Sequence, residues 1–269
     1  MNNVNIKALT IHLARAEKRR AQVEVLSSVL PFPSATIDAV DGRLISEQER
    51  CRFYRSYLYR PFYPFTLSDN EVACFLSHRT AWQTIVNDNL DAALILEDDA
   101  AVDEHFSASL TLALASLKQG DFIRFPVRDG REYGRLIARA ESTSLIEPIC
   151  PGLGMVAQLI SRDAAIKLLK ASERVDRPVD VFLQMAWMTA VVPKSVVPSG
   201  VQEISACLGG STLKQDKTWL SKCRHEILRP IYRTKIARYA KAAARHRDCS
   251  PSNHENDRNA YSHFHASSN

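Results

Sequence analysis

Apolar and polar residues fall along this chain in blocks that alternate between two spacings. Apolar-rich runs of strand length occupy residues 6–13 (IKALTIHL), 35–40 (ATIDAV), 92–96 (AALIL), 122–125 and 191–197. Between them lie stretches with helical spacing. A charged helix is predicted over 16–30, stopped by Pro31. Ser68, with Glu71 three residues on, forms a capping box that opens a helix to about residue 87. In 107–118, Leu110, Leu114 and Leu117 share one face. Ser161 caps a helix through residue 170, and Pro178-Val179-Asp180 starts another to about 188. Residues 43–66 read as a helix followed by an irregular loop. Residues 145–149 and 154–160 read as a strand pair broken by Pro151-Gly152. Alternation of this kind predicts an α/β sandwich with a largely parallel sheet.

The pattern changes near the C-terminus. Residues 216–247 keep helical spacing but are expected to be interrupted at Pro230. The final stretch, 248–269, is polar and rich in His, Asn and Ser, and is expected to be disordered. The predicted organisation is therefore a body over 1–213, a basic amphipathic helical segment over 214–247 and a tail.

Charge sharpens that division. Residues 214–247 carry eleven Lys and Arg against only Asp216 and Glu226, whereas residues 1–213 are close to neutral. Tyr and Ile on one helical face with Lys and Arg on the other suit an anionic membrane surface. Nucleic-acid binding is the competing reading of the same charge. Modest aromatic interleaving and the lack of a nucleic-acid motif argue against it. At 269 residues and 45% hydrophobic, the chain can bury a large core. No stretch has the roughly 20 apolar residues of a membrane span, and the N-terminus lacks an apolar signal core. A cytoplasmic location, peripheral to the membrane's inner face, is the expectation. Six cysteines without a CxxC pair argue against a zinc ribbon or a disulfide framework.

The richest chemistry follows the run at 92–96, where Glu97, Asp98 and Asp99 stand in a row. In open α/β sheets the functional crevice lies beyond the carboxyl ends of the strands. Three adjacent carboxylates repel one another unless a cation sits among them. Hard oxygen ligands suit Mg²⁺ or Mn²⁺. An acidic turn that merely caps the next helix is the alternative. On the helix at 68–87, Glu71, Cys74, His78 and Trp82 line one face, and Arg79 intrudes on the apolar stripe.

Together these segments resemble glycosyltransferase family 25, the lipopolysaccharide-type galactosyltransferases. The resemblance rests on IHLARAEKRR (11–20), IDAVDG (37–42), LSDNEVACFLSHRTAW (67–82) and LILEDDA (94–100). It continues through GMVAQLISRDAAIKLL (154–169), RPVDVFL (177–183) and GGST (209–212). The sequence departs mildly from the family at His12, Asn70 and Ala73.

The resemblance implies a GT-A-like nucleotide-sugar-binding fold. It also implies a divalent metal and a UDP-sugar donor, most often UDP-galactose. Transfer would run with inversion onto an oligosaccharide or lipid-linked glycan acceptor. Asp99 is then the expected metal ligand, and Glu97 serves metal or ribose. Asp98 would turn back toward the first loop. Leu13, Arg15, Arg19 and Asp41 join the donor-binding set, although lone arginines there are often solvent-facing. Asp180 is the first candidate for the base that accepts the acceptor's proton, with helix capping as its alternative role. Glu71 and His78 are lesser candidates. A non-catalytic adaptor that keeps the fold is the remaining alternative.

Overall fold

The computed structural model describes residues 4–128, 130, 132–208 and 219–248, with the side chains of 226–247 in the last segment. The tail beyond Asp248 and the GGST stretch lie outside the described residues.

An eight-stranded mixed sheet forms the centre, in the order β2-β1-β3-β8-β5-β9-β7-β6. Its left half is β1 (Ile6–His12), β2 (Ser34–Asp38) and β3 (Ala92–Glu97), all parallel. β8 (Ala157–Ser161) runs antiparallel between β3 and β5 (Phe122–Arg124). β9 (Pro193–Val197) is parallel to β5, and the hairpin β6 (Gly134–Ala140) and β7 (Thr143–Pro148) closes the far edge. In this sheet β8 and β7 run against the other strands. The fold is thus the expected α/β sandwich with a mostly parallel sheet.

β3 shows why its sequence is an unbroken apolar run. Ile95 faces a core containing Phe75, Trp82, Ile85 and Ile160, while Leu94 and Leu96 face a second containing Leu26, Leu110 and Leu159. A strand covered on both faces cannot alternate with polar residues. The first core is roofed by α3 (Asp69–Asn87) and α5 (Arg162–Ala171). The second is closed by α1 (Arg20–Val29), which follows a 3₁₀ turn at Glu17–Arg19, and by α4 (Phe106–Ser116). A short α2 (Glu47–Phe53) precedes the irregular loop to α3.

Several expectations change. The stretches at 145–149 and 154–160 do not pair with each other. β7 pairs with β6 and β9, and β8 slots between β3 and β5. The helix expected from 178 to 188 is two short ones, α6 (Val179–Leu183) and α7 (Ala186–Thr189). A two-stranded ribbon, β4 (Ala100–Val102) with β10 (Val201–Glu203), was not legible in the sequence.

The basic segment departs most. α8 (Trp219–Asp248) runs unbroken through Pro230. A proline inside a helix forfeits one backbone hydrogen bond and costs about 3 kcal/mol, so tertiary packing must offset it. Tyr232, Ile236 and Ala240 supply that packing, each at most 6% exposed. The face expected to meet a membrane is therefore covered by the body. Farther along, the Tyr239 ring lies 5.6 Å from Trp187 of α7, and Arg247 reaches Glu147 of β7 at 3.4 Å. Among the described residues no helix is long and apolar enough to cross a membrane.

Candidate active site

A cleft of about 1100 Å³ opens at the carboxyl ends of β1 and β3. The backbone after β3 turns sharply and is held by the β4–β10 ribbon, which pairs Glu203 with Ala100. This places Glu97, Asp98 and Asp99 on the cleft wall.

The three carboxylates have separate surroundings. Asp98 turns back toward the first loop. Its Oδ2 lies 2.8 Å from His12 Nδ1 and accepts from the Leu13 backbone N–H at 3.3 Å, and its Oδ1 accepts from Arg19 at 2.6 Å. Arg19 also pairs with Asp99 Oδ2 at 3.0 Å. The Arg19 side chain is 6% exposed. Burial works against its charge, but the Asp98 hydrogen bond and the neighbouring carboxylates outweigh it and hold its pKa above the usual value. Arg19, expected to meet the donor, lines the cleft and pairs there with both Asp98 and Asp99.

Asp99 Oδ1 is buried with no hydrogen-bond partner. Burial, reinforced by Glu97, pushes the Asp99 carboxyl up to about 6. A buried, orphaned carboxylate oxygen next to further acids is what a hard divalent cation would satisfy. Glu97 and Asp99 fit Mg²⁺ or Mn²⁺ on that ground.

Glu97 draws its own support from α3. Its Oε1 lies 3.2 Å from His78 Nε2. His78 is 1% exposed, and its Nδ1 faces the Gln158 amide of β8 at 3.4 Å. His78, expected as a lesser base candidate, lines the cleft and is held between Glu97 and Gln158. Glu71 is committed as well. Its carboxylate accepts from the Ser68 backbone N–H at 2.8 Å and from the Ser68 hydroxyl at 2.9 Å, completing the capping box. The odd Arg79 is also explained. It donates to the Leu169 and Ser172 carbonyls at 2.9 and 2.8 Å and so caps the C-terminus of α5.

Arg15, which lines the cleft, binds Asp41 at 2.7 Å; Asp41 itself lies outside the cleft lining, beside Leu44 and Thr80 in a separate pocket. The loop there passes so near α3 that a Cβ on Gly42 would meet Asn70 Oδ1 at 2.4 Å, which only glycine avoids. Asp180, at the start of α6, also lines the cleft. Its Oδ2 accepts from the Gly154 N–H at 3.1 Å and its Oδ1 from the Val181 N–H at 2.8 Å. Burial nevertheless raises its pKa, against those two hydrogen bonds.

Three features of the cleft were missed in the sequence. Tyr63 and Phe65, in edge-to-face contact at 5.4 Å, form an aromatic wall. Arg229 and Arg233 reach the cleft from α8, one helical turn apart. Glu132, in the cleft lining, pairs with Arg124 of β5 behind it at 2.8 Å, and both side chains are buried. An arginine inside the apolar FIRF strand was the available signal for the last.

The family described as "Glycosyltransferase family 25 (LPS biosynthesis protein)" matches residues 5–133, the part of the chain that carries β1, α3 and the acidic strand end. Residues 5–133 of the chain belong to glycosyltransferase family 25. The chain is 30% identical over 190 residues to "Glycosyltransferase 25 family member" of Drosophila melanogaster, covering 65% of the chain and 29% of that protein. It is 31% identical over 191 residues to "Inactive glycosyltransferase 25 family member 3" of Mus musculus, covering 66% and 31%. The chain therefore spans about a third of the length of these curated relatives. A solved structure described as mannose-1-phosphate geranyltransferase from Thermus thermophilus aligns at 14% identity with a TM-score of 0.38, over 72% of the chain and 74% of that one.

Proposed function

We propose that this chain is a metal-assisted hexosyltransferase that takes a sugar, galactose before others, from a UDP-sugar to a glycan acceptor with inversion. The observation that carries the reading is the orphaned, buried Oδ1 of Asp99 beside Glu97 in a cleft at the strand ends. Glu97 and Asp99 would hold Mn²⁺ or Mg²⁺. When bound, such a cation neutralises the charge that builds on the diphosphate as the glycosidic bond breaks.

The chain's own residues supply the rest. Arg19 and His12 fix Asp98, so the strand end keeps its shape under strong mutual repulsion. His78 and Gln158 orient Glu97. The Tyr63–Phe65 wall offers a face on which a sugar ring can stack. Asp180 is the proposed base. It takes the proton of the acceptor hydroxyl as that oxygen attacks the anomeric carbon, and its raised pKa makes it a better proton acceptor than an ordinary carboxylate. Burial of Tyr232 and Ile236 leaves the exposed, basic side of α8 for an anionic surface, which suits a lipid-linked acceptor such as a lipopolysaccharide precursor at the inner membrane face.

A second reading is a family member that keeps the fold without turnover. It is favoured by the inactive mouse relative. One screen separates the two. UDP-sugars are tested for hydrolysis and for a rise in melting temperature, each with and without Mn²⁺. Metal-dependent stabilisation with hydrolysis supports the enzyme. Stabilisation without turnover on any donor supports the inactive protein, and no binding at all removes the enzyme and leaves the second reading.

A further inference from the structure

We propose that Cys74, His78 and Glu97 form a site for a thiophilic divalent cation of the zinc class, distinct from the all-oxygen position at Asp99 but sharing Glu97 with it.

Cys74 and His78 lie one helical turn apart on α3, and Glu97 closes β3. All three line the cleft. One ligand atom from each, a thiol sulfur, an imidazole nitrogen and a carboxylate oxygen, lies within 4.8 Å of the other two. The tightest pair is His78 Nε2 with Glu97 Oε1 at 3.2 Å. Zn–N and Zn–O bonds of about 2.0–2.1 Å and a Zn–S bond of about 2.3 Å set tetrahedral edges of roughly 3.3–3.6 Å. Small side-chain rotations bring the trio to that geometry. Both backbone segments belong to regular elements, so the site is largely preformed.

A second observation points the same way. Gln158 is fully buried, and its Oε1 has no hydrogen-bond partner. Its amide nitrogen faces His78 Nδ1. Turning the amide over would set the orphaned oxygen on an Nδ1–H. That satisfies the buried acceptor and leaves the Nε2 lone pair for a cation, the usual outer partner of a metal-bound imidazole.

The ligand set decides the cation. A thiolate and an imidazole select zinc-like ions over Mg²⁺ and Mn²⁺, which prefer oxygen alone. The thiol proton leaves to solvent as the sulfur binds. A fourth position faces the cleft. Occupation draws Glu97 toward α3 and away from Asp99, so zinc should compete with the hard cation. This competition rests on the proposed function; the binding itself does not.

The test uses the full chain and Co²⁺ as a spectroscopic stand-in for Zn²⁺. The wild type should develop a thiolate-to-metal charge-transfer absorption that Zn²⁺ abolishes. Cys74→Ser, nearly isosteric, should lose that band, whereas a substitution at the exposed Cys51 should keep it. Gln158→Leu should weaken Co²⁺ binding by about 10–100-fold. Asp99→Asn should retain the band. A wild type without the band overturns the proposal, as does an undiminished band in Cys74→Ser. Loss of the band in Asp99→Asn would overturn the separation of the two positions. The band appearing in a chain with no donor binding would support the site while sinking the proposed function.

Discussion

Tyr232 accepts a hydrogen bond from the guanidinium of Arg177 at 2.7 Å, joining α8 to the loop before α6. Arg177 is fully buried, and its other contacts are the Asp176 carboxylate, the Tyr59 carbonyl and the Met185 sulfur. The C-terminal helix therefore completes a buried charge network as well as an apolar one. Tyr232→Phe leaves one buried N–H short of a good acceptor and should cost about 1–3 kcal/mol. Truncation after Gln215 also uncovers the apolar surface under Ile236 and Ala240, and should lower stability further. Denaturant midpoints of the two variants check this. Wild-type stability in the truncated chain would mean that α8 does not pack on the body in solution.

Arg19 should prove structural. It is shared by Asp98 at 2.6 Å and Asp99 at 3.0 Å in a nearly dry setting. Arg19→Met leaves two buried carboxylates facing each other, and breaking a buried pair in this way costs about 3–5 kcal/mol. Thermal melting should show the loss, and Mn²⁺ should restore part of it by neutralising Asp99. A variant that melts like the wild type but binds donor poorly would return Arg19 to the diphosphate role.

The metal-free chain should carry an acidic stability signature from Asp99. Its folded pKa of about 6 lies above the usual 3.8. The fold therefore favours the protonated carboxyl. That stabilisation is complete below about pH 4 and is lost as pH rises through about 6. Asp99→Asn, neutral throughout, should then exceed the wild type in stability near pH 7 by on the order of 1–3 kcal/mol, and match it near pH 4. Parallel stability curves for the two proteins across this range would show that Asp99 is not strained by its surroundings.

Sequence alone exposed the parts of this site that are local. The run at 92–96 followed by three acids, the capping box at Ser68 and Glu71, and the face shared by Cys74 and His78 all depend on neighbours within a few residues. What escaped depends on distant packing. Asp98 and Arg19 are 79 positions apart, Gln158 and His78 are 80 apart, and Tyr232 and Arg177 are 55 apart. The amphipathic pattern of α8 was visible, but the same pattern serves a membrane or a protein surface equally well. Only the body's placement of Tyr63 and Arg177 against Tyr232 distinguishes them. β7 and β8 read as a pair because they are adjacent in sequence, yet the sheet order separates them.

Asp180 should act on chemistry more than on binding. Asp180→Asn keeps size and can still accept the Gly154 and Val181 N–H bonds through one oxygen at a time. Loss of a general base typically costs about 10²–10⁴-fold in rate. kcat should fall by that factor with donor affinity within a few-fold of wild type. Collapse of donor affinity would instead make Asp180 a binding or structural residue.

The most direct measurement is Mn²⁺-dependent UDP-sugar binding by the wild type and Asp99→Asn, followed by calorimetry on the full chain. The account predicts tight donor binding in the wild type only with the cation present. In Asp99→Asn it predicts the loss of that metal dependence, with the fold intact by thermal melting. Equal donor binding with and without chelator, or unchanged metal-dependent binding in Asp99→Asn, would contradict it.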